Sequence, residues 1–260
     1  MKEDVAVNGT RLHVESDGAG PCVVLLNSLA TDLSMWEPQI AALTQRFRVL
    51  RYDQRGHGGS AAPPAPYSLA MLVEDLFALL THYRIERAHL VGLSLGGVIA
   101  AGAALARPGA VASFAVCDSR VEMPPEFSSA IDERNRLVRD QGIEAIVEPM
   151  VGRWFTPASL AAKVPALETV RAMIRRTTPE GFVGCAEALK AARVLDRLAE
   201  IRVPGLFLVG DQDAAVPAAV MRDQQRRVAN SIYVEINKAG HLSNLEQPAQ
   251  FNAALLDFLG

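Results

Sequence analysis

The hydrophobic positions of this chain follow two patterns that alternate along most of its length. Short apolar runs bounded by turn residues are typical of buried strands, whereas apolar residues repeated every three or four positions are typical of helices. The predicted strands include Cys22–Leu26, Phe47–Tyr52, Val111–Cys117, Gly205–Gly210 and Ser231–Ile236, and the predicted helices between them include Met35–Gln45 and Leu69–His82. This alternation predicts an α/β fold, with a mostly parallel central sheet and helices on both faces.

The amino-terminal segment departs from this alternation. Val5–Val7 and Arg11–Glu15 are strand-like segments separated by a turn that contains Asn8 and Gly9. An Asn-Gly pair readily adopts the positive φ angles of a type I′ turn. The sequence therefore predicts a β-hairpin at the start of the chain.

A second interruption lies in the middle of the chain. There, helical segments such as Phe127–Gln141 and Ile143–Val151 follow one another, broken by prolines, and strands resume only afterwards. An insertion at this point would lie over the carboxyl ends of the strands as a lid. The sequence predicts one domain overall, with residues 1–118 and 201–260 forming the core and residues 119–200 forming an inserted helical cap.

Composition narrows the class of protein. Half of the 260 residues are apolar, which is enough to bury one large core, and the formal net charge is −3. This charge argues against a nucleic-acid partner and against binding to an anionic membrane. The first residues form no long apolar run, so no secretory signal is evident. We therefore expect a cytoplasmic protein whose partner is a small molecule.

The segment from Ala88 to Leu105 carries the most distinctive motif. It predicts a buried strand, a sharp turn and a helix, with Ser94 in the pattern Gly92-x-Ser94-x-Gly96. This spacing is typical of a nucleophile elbow, because the tight turn leaves no room for Cβ atoms on either side of the serine. The alternatives are a membrane span and a nucleotide-binding turn, but the segment has neither aromatic anchors nor the spacing G-x-G-x-x-G.

Candidate partners for Ser94 follow the last two predicted strands. Asp211 and Asp213 come after the first of these strands, and His241 comes after the second. The chain order serine, aspartate, histidine is that of α/β-hydrolases. We expect His241 to accept the proton of Ser94 and an aspartate to orient the histidine ring. Asp213 is the expected residue for this role, Asp211 competes with it, and Asp118 is the third choice.

Two backbone N–H groups are candidates for an oxyanion hole. The N–H of Leu95 begins the helix after the elbow serine, where the helix dipole favours developing negative charge. The loop after the first buried strand leaves the carboxyl end of the sheet, and there the N–H of Leu29 is the expected second donor. Asn27 and Ser28 are expected to shape this loop and to belong to the substrate-binding residues.

A glycine-rich stretch, Asp53-Gln-Arg55-Gly-His57-Gly, follows the second buried strand. Its histidine and aspartate are residue types that catalysis uses, but the glycines predict a turn that continues into a proline-rich loop. We therefore expect His57 to have a structural role rather than a catalytic one.

Together these motifs resemble those of lidded α/β-hydrolases. The matching segments are Gly92–Gly97, Asp53–Gly58, Gly210–Asp213 with Pro217, and Ala239–His241. More narrowly, the chain is similar to 3-oxoadipate enol-lactonases in Asn27–Leu29, Thr31–Leu33, Arg153–Pro157 and Gly240–Asn244. Ala30 stands where that family usually has glycine. The resemblance places the acid of the triad at Asp213.

The resemblance implies a serine hydrolase that opens a small, anionic enol-lactone through an acyl-enzyme. Ser94, Asp213 and His241 would form the triad, and the reaction would need neither a metal nor a cofactor. A general carboxylesterase, an acyl-homoserine lactonase and a carbon–carbon bond hydrolase are alternatives on the same fold. An alternative of another class is a non-catalytic, hydrolase-like ligand receptor.

An anionic substrate would need a cation in an otherwise apolar pocket, and a guanidinium offers paired donors to a carboxylate. Arg153 is the predicted contact to that carboxylate, and Trp154 is the predicted pocket wall. In the alternative arrangement, Trp154 alone faces inward and Arg153 faces water. Arg171, Arg175 and Arg176 are instead expected to form a solvated helix face.

Overall fold

A computed structural model describes residues 1–260 and contains one sheet of eight strands in the order β1-β2-β4-β3-β5-β6-β7-β8. The strands are β1 (Lys2–Val7), β2 (Thr10–Asp17), β3 (Cys22–Leu26), β4 (Arg48–Tyr52), β5 (Ala88–Leu93), β6 (Val111–Cys117), β7 (Gly205–Gly210) and β8 (Ser231–Ile236). All pairings from β4 to β8 are parallel, and only β1 and β2 are antiparallel to their neighbours. The carboxyl ends of the parallel strands therefore meet at one edge of the sheet.

The helices connect these strands and cover the sheet. They are α1 (Glu37–Leu43), α2 (Leu69–His82), α3 (Leu95–Ala106), α4 (Ser128–Gln141), α5 (Val147–Trp154), α6 (Pro157–Ala162), α7 (Ala166–Arg175), α8 (Pro179–Ala191), α9 (Ala218–Arg226), α10 (Ser243–Glu246) and α11 (Pro248–Leu259). The predicted α/β fold is confirmed. Helices α4 to α8 lie between β6 and β7, within the interval for which the sequence predicts a cap. The division of the chain into core and cap stays a prediction.

The amino-terminal hairpin forms as predicted. Asn8 and Gly9 have φ angles of 44° and 70°, as a type I′ turn requires, and Val7 pairs with Thr10 across the turn. The central strands are also buried as predicted, since every residue of β3 and β7 is inaccessible to solvent or nearly so. Helices on both faces of the sheet explain this burial.

The first predicted helix, Met35–Gln45, is shorter in the structure. A 3-10 turn at Leu33–Trp36 precedes α1, which ends at Leu43. The Asp32 carboxylate accepts a hydrogen bond from the Ser34 N–H at 3.1 Å and so caps the start of the tight turn. The helical region therefore begins two residues earlier than the apolar pattern predicts.

The predicted helix Ile143–Val151 is divided in a similar way. Ile143–Ile146 form a 3-10 turn, and α5 begins at Val147 because Pro149 is tolerated only in a first helical turn. Helix α5 then extends past Val151 to Trp154. No helix in the structure is both long enough and apolar enough to cross a membrane.

Candidate active site

Ser94 lies in the turn between β5 and α3, at the carboxyl edge of the sheet. Its φ and ψ angles are 54° and −113°, a backbone conformation that is strained for a residue with a Cβ atom. The glycines around it are required by close backbone contacts. A Cβ on Gly92 would lie 2.0 Å from the Gly96 carbonyl oxygen, and one on Gly96 would lie 2.0 Å from the Leu26 carbonyl oxygen. The geometry is that of a nucleophile elbow.

The three side chains predicted to act together form one hydrogen-bonded chain. The Ser94 Oγ lies 3.1 Å from His241 Nε2, and His241 Nδ1 lies 2.8 Å from Asp213 Oδ2. His241 and Asp213 are 4% and 5% exposed, so both partners are shielded from water. An imidazole whose Nδ1–H donates to a carboxylate has a free Nε2 lone pair directed at the hydroxyl, which suits a general base.

Asp213 is held in place by its second carboxylate oxygen. Its Oδ1 accepts hydrogen bonds from the backbone N–H groups of Ala215 and Val216, at 2.7 Å and 3.0 Å. The other candidate acids are occupied elsewhere. Asp211 is exposed and accepts from the Ala239 N–H, at 3.2 Å, and it makes no contact with the His241 ring.

Asp118 is fully buried beside this group but does not contact the His241 ring. Its carboxylate accepts from the Gly210 N–H at 2.7 Å and from the Ser243 hydroxyl, and it thereby ties the end of β6 to the end of β7 and to the start of α10. Burial, followed by the negative charge of Asp213, raises the pKa of Asp118 well above its usual value. Its position indicates a role in holding the loops.

The loop that carries His241 is also hydrogen-bonded to the end of α5 and to the residues that follow it. The His241 N–H donates to the Trp154 carbonyl oxygen at 2.8 Å, and the two rings lie 6.1 Å apart. The Glu246 carboxylate joins the same two segments. It accepts from the Gly240 N–H at 2.6 Å and from the Thr156 N–H at 3.0 Å. The sequence motif around His241 gave no sign of this connection.

The backbone N–H groups of Leu29 and Leu95 are both without a hydrogen-bond acceptor in the chain. Leu29 lines the cavity above Ser94, and Leu95 begins α3 directly after it. A free N–H at a helix start and another on the facing loop can donate hydrogen bonds to an anionic oxygen. The next residue of that loop, Ala30, has a φ of 59°.

Asn27 and Ser28 form the buried start of this loop and do not line the cavity. The Asn27 amide donates to the Tyr52 carbonyl oxygen at 2.9 Å and accepts from the Trp36 indole N–H at 3.0 Å. Both residues are 0% exposed, and neither lines the cavity. The structure therefore does not bring them to a substrate. Their positions fit the expected part in shaping the loop.

A cavity of about 440 Å³ opens above Ser94 and is lined mainly by residues of the cap. The apolar lining includes Leu29, Met123, Phe127, Ile131, Leu137, Ile146, Met150, Trp154, Phe182, Leu189 and Val216. Trp154 is 5% exposed and lines the cavity, as its predicted role as a pocket wall requires. The volume is suitable for a small-molecule ligand.

Three arginines, Arg120, Arg134 and Arg153, interrupt the apolar lining. None of them forms a hydrogen bond or an ion pair with a carboxylate of the chain. Arg153 lines the cavity but is largely exposed, so the structure combines the two arrangements considered from the sequence. Burial, followed by the positive charge of Arg153, lowers the pKa of Arg134, which stays cationic near neutral pH.

Sequence reasoning missed Arg134, although a signal was present. Along α4 the buried residues Ile131, Asn135 and Val138 define one face, and Arg134 lies on this face three residues after Ile131. Of the two acidic residues that precede Arg134 on α4, Asp132 binds Lys190, and Glu133 lines the cavity without pairing with Arg134. Arg134 therefore presents an unpaired cation to the cavity.

The other cap arginines do pair with carboxylates. Arg171 binds Glu148 and Glu168, and Arg175 binds Glu144, on the outer face of the cap. Arg175 is exposed, as expected of a solvated helix face, whereas the Arg171 side chain is only 20% exposed. Arg176 differs, because it reaches across to Asp32 on the loop before α1.

The sheet order, the serine elbow and the hydrogen-bonded chain define an α/β-hydrolase architecture. The sequence profile of the alpha/beta hydrolase family matches residues 23–254, and the chain belongs to this family.

Comparison with individual proteins shows which members of the family this chain resembles. The chain is 33% identical to 3-oxoadipate enol-lactonase 2 of Acinetobacter baylyi, over 97% of this chain and 92% of that protein. It superposes on the crystal structure of the enol-lactonase from Burkholderia xenovorans LB400 with a TM-score of 0.95 and 37% identity, over 99% of both chains. It is also 33% identical to a Klebsiella pneumoniae protein that carries the name carbamate hydrolase RutD, over 92% of this chain and 91% of that protein. The resemblance to enol-lactonases is thus confirmed.

Proposed function

We propose that this chain is a serine hydrolase that opens a small enol-lactone bearing a carboxylate. The observation that carries the proposal is the Ser94–His241–Asp213 hydrogen-bonded chain at the base of an apolar cavity that contains unpaired arginines. The similarity to enol-lactonases over nearly the whole chain supports the same substrate class. A small-molecule substrate is also what the net charge favours.

In the first step, Ser94 Oγ attacks the ring carbonyl carbon while His241 Nε2 takes the hydroxyl proton. Asp213 stabilises the imidazolium that results and keeps the ring in the tautomer that can act as a base. The carbonyl oxygen becomes an oxyanion, which the N–H groups of Leu29 and Leu95 would bind. Because both donors are already free and directed by the backbone, they require no reorganisation during the reaction.

In the second half of this step, the bond between the carbonyl carbon and the ring oxygen breaks. His241 returns the proton to the departing enol oxygen, and the acyl group stays on Ser94. The enol then tautomerises to a ketone, which makes ring opening strongly favourable. Water next attacks the acyl-enzyme, with His241 as the base, and releases the carboxylic acid and free Ser94.

The cap arginines supply the expected specificity for an anion. Arg134 is partly desolvated and forms no ion pair, so its guanidinium is free to bind a carboxylate in the cavity, and Arg153 is close to it at the cavity wall. Glu133 also lines the cavity but does not pair with either arginine. Charge-assisted hydrogen bonds are stronger in such a site than in water. We therefore assign the main carboxylate contact to Arg134 and a supporting contact to Arg153, which changes the order expected from the sequence.

The test compares hydrolysis of 3-oxoadipate enol-lactone with hydrolysis of its neutral methyl ester, by loss of the enol-lactone absorbance. We expect kcat/KM to be about tenfold or more higher for the anion, equivalent to about 1.4 kcal/mol. Ser94→Ala should lower turnover of both by about 10⁴-fold or more, because the triad acts as a unit. Activity retained in Ser94→Ala would overturn the serine mechanism.

A carbamate is the second candidate substrate, because of the similarity to RutD. A minimal carbamate would leave most of a 440 Å³ cavity and its arginines without a partner. Faster turnover of a carbamate, or of the neutral ester, than of the anionic lactone would overturn the proposed substrate class while leaving the hydrolase chemistry in place.

A further inference from the structure

His57 lies in the glycine-rich loop after β4 and is 0% exposed. Its Nδ1 lies 2.8 Å from the Arg55 carbonyl oxygen, and its Nε2 lies 3.0 Å from the Ala30 backbone nitrogen. A carbonyl oxygen can only accept and an amide N–H can only donate, so Nδ1 carries the proton and Nε2 is the acceptor. The two bonds thus fix one neutral tautomer of a buried ring.

His57 accepts a hydrogen bond from the Ala30 N–H. The preceding N–H, that of Leu29, has no acceptor in the chain, and Leu29 lines the cavity. Ala30 has a φ of 59°, a left-handed conformation that residues with a Cβ atom avoid. A loop in this conformation persists only when its surroundings hold it. The imidazole is the side-chain group that holds it at this point.

The loop of His57 is itself anchored to the cap. The carbonyl oxygen of Gly56 accepts hydrogen bonds from both the N–H and the hydroxyl of Thr178, at 2.8 Å and 3.1 Å, just before α8. The Gln54 amide donates to the Asn27 carbonyl oxygen at 2.9 Å, below the same loop. The ring therefore has a rigid support from which to fix the backbone at Ala30.

We propose that His57 is a positioning residue that sets the direction of the Leu29 N–H toward the oxyanion, by accepting a hydrogen bond from the neighbouring Ala30 N–H. This proposal rests on the proposed function, because it assigns the Leu29 N–H to the oxyanion. A phenylalanine ring would fill the same space but would offer no acceptor. The acceptor nitrogen, rather than the volume of the ring, is what the loop requires.

The experiment compares His57→Phe and His57→Gln with the wild-type protein on p-nitrophenyl acetate. His57→Phe removes the acceptor, and we expect kcat to fall about 10- to 100-fold with KM within about twofold, because the oxyanion exists only in the transition state. His57→Gln offers an amide oxygen near the position of Nε2 and should recover a large part of this loss. His89→Phe is the matched control, since this half-buried histidine binds Ser113 within the sheet.

A second readout separates positioning from general loss of structure. An alkyl trifluoromethyl ketone adds to an active serine and places an oxyanion in the hole, so its inhibition constant in His57→Phe should rise by the same factor as kcat/KM falls. An unchanged inhibition constant would overturn the proposal, as would a kcat equal to that of His89→Phe. Inactivity of the wild-type protein, or full activity in Ser94→Ala, would instead refute the proposed function itself.

A measurement on the wild-type protein covers the case in which the variants do not fold. In a spectrum of ¹⁵N-labelled histidines, the His57 ring should be protonated at Nδ1 only and should stay neutral down to about pH 5, because burial lowers its pKa to about 4. If all five histidines titrated near their ordinary pKa of about 6.5, the assignment of a neutral, Nδ1-protonated ring to His57 would be wrong.

Discussion

The backbone N–H of His241 donates a hydrogen bond of 2.8 Å to the carbonyl oxygen of Trp154, at the end of α5. The residue proposed as the general base is therefore held by a residue of the helical cap, and the same tryptophan forms a wall of the cavity above Ser94. Any shift of the cap at this point would change the orientation of the base as well as the shape of the cavity.

Replacement of Glu246 tests the connection between the His241 loop and the cap. Glu246→Gln places an amide N–H₂ against one of the N–H donors of Gly240 and Thr156, so one of the two loop contacts is lost. We expect kcat to fall about tenfold and the free energy of unfolding to fall by about 1 to 3 kcal/mol. Gln247→Ala is the control, because the neighbouring side chain contacts only Lys238 and Gln250. Equal kcat values in Glu246→Gln and in the control would show that the connection does not reach His241.

Replacement of the acid distinguishes the three candidate aspartates. Asp213→Asn keeps the shape of the side chain but favours the wrong tautomer of His241, and we expect turnover to fall by about 10⁴-fold. Asp211→Asn should have little effect, since Asp211 contacts only the Ala239 N–H. Initial rates on p-nitrophenyl acetate give the comparison.

Asp118→Asn is expected to act differently from Asp213→Asn. Asp118 binds Gly210 and Ser243, so its replacement should lower the melting temperature more than it lowers turnover. A loss of turnover in Asp118→Asn as large as that in Asp213→Asn would contradict the assignment of the acid.

Arg134 is the residue on which anion specificity should depend. Arg134→Ala removes an unpaired cation from the cavity wall, and we expect KM for the anionic enol-lactone to rise about tenfold or more, or by about 1.4 kcal/mol, with little change for p-nitrophenyl acetate. Arg153→Ala should produce a smaller rise, because its side chain is largely exposed.

Arg171→Ala provides the matched control for these variants. It removes one cap arginine of the same charge whose partners are the exposed carboxylates of Glu148 and Glu168. Its KM should stay within about twofold of wild type, since surface ion pairs contribute little. If Arg171→Ala raises KM as much as Arg134→Ala does, the effect comes from net charge rather than from a contact.

His57 should also make stability depend on pH. Burial lowers its pKa to about 4 against the raising effects of the Arg55 carbonyl oxygen and the nearby Asp32 carboxylate, whereas the unfolded chain binds the proton near pH 6.5. The folded state therefore binds fewer protons, so stability is lost as the pH falls from about 6.5 toward 4. From pH 7 to pH 5, the unfolding free energy of wild type relative to His57→Gln should fall by about 2 kcal/mol.

Urea unfolding at the two pH values measures this difference. Burial raises the pKa of Asp53 to about 6, so this carboxyl group makes stability change with pH in the opposite direction. Asp53 is present in both proteins, so its contribution cancels in the comparison. A difference that does not change with pH would show that His57 titrates normally in the folded protein.

The elbow, the candidate acid and the candidate base could be located from the sequence because each is fixed locally. Ser94 depends on glycines two residues away, and Asp213 and His241 each follow a recognisable buried strand. Arg134 could not be assigned in this way. Whether Arg134 pairs with a carboxylate depends on how α4 packs against α8. In the structure, Asp132 of α4 pairs with Lys190 of α8 instead, and this packing cannot be read from the sequence.

The loop of His57 shows the same limit. The glycines correctly indicated a turn, and the ring has a structural role in the sense that it is fully buried. The identity of its second partner, Ala30, depends on how the loops after β3 and β4 meet. The two residues are 27 positions apart, and no spacing rule connects them.

The contact between Gly56 and Gly181 sets how closely the cap can approach the sheet. A Cβ on Gly181 would lie 2.4 Å from the Cα of Gly56, and one on Gly56 would lie 2.2 Å from the Cα of Gly181, so two bare backbones touch at this seam. One methyl group there would act as a spacer between the two halves of the molecule. Phe182 follows Gly181 and lines the cavity, so such a spacer is expected to change the shape of the cavity while leaving Ser94, Asp213 and His241 unaltered.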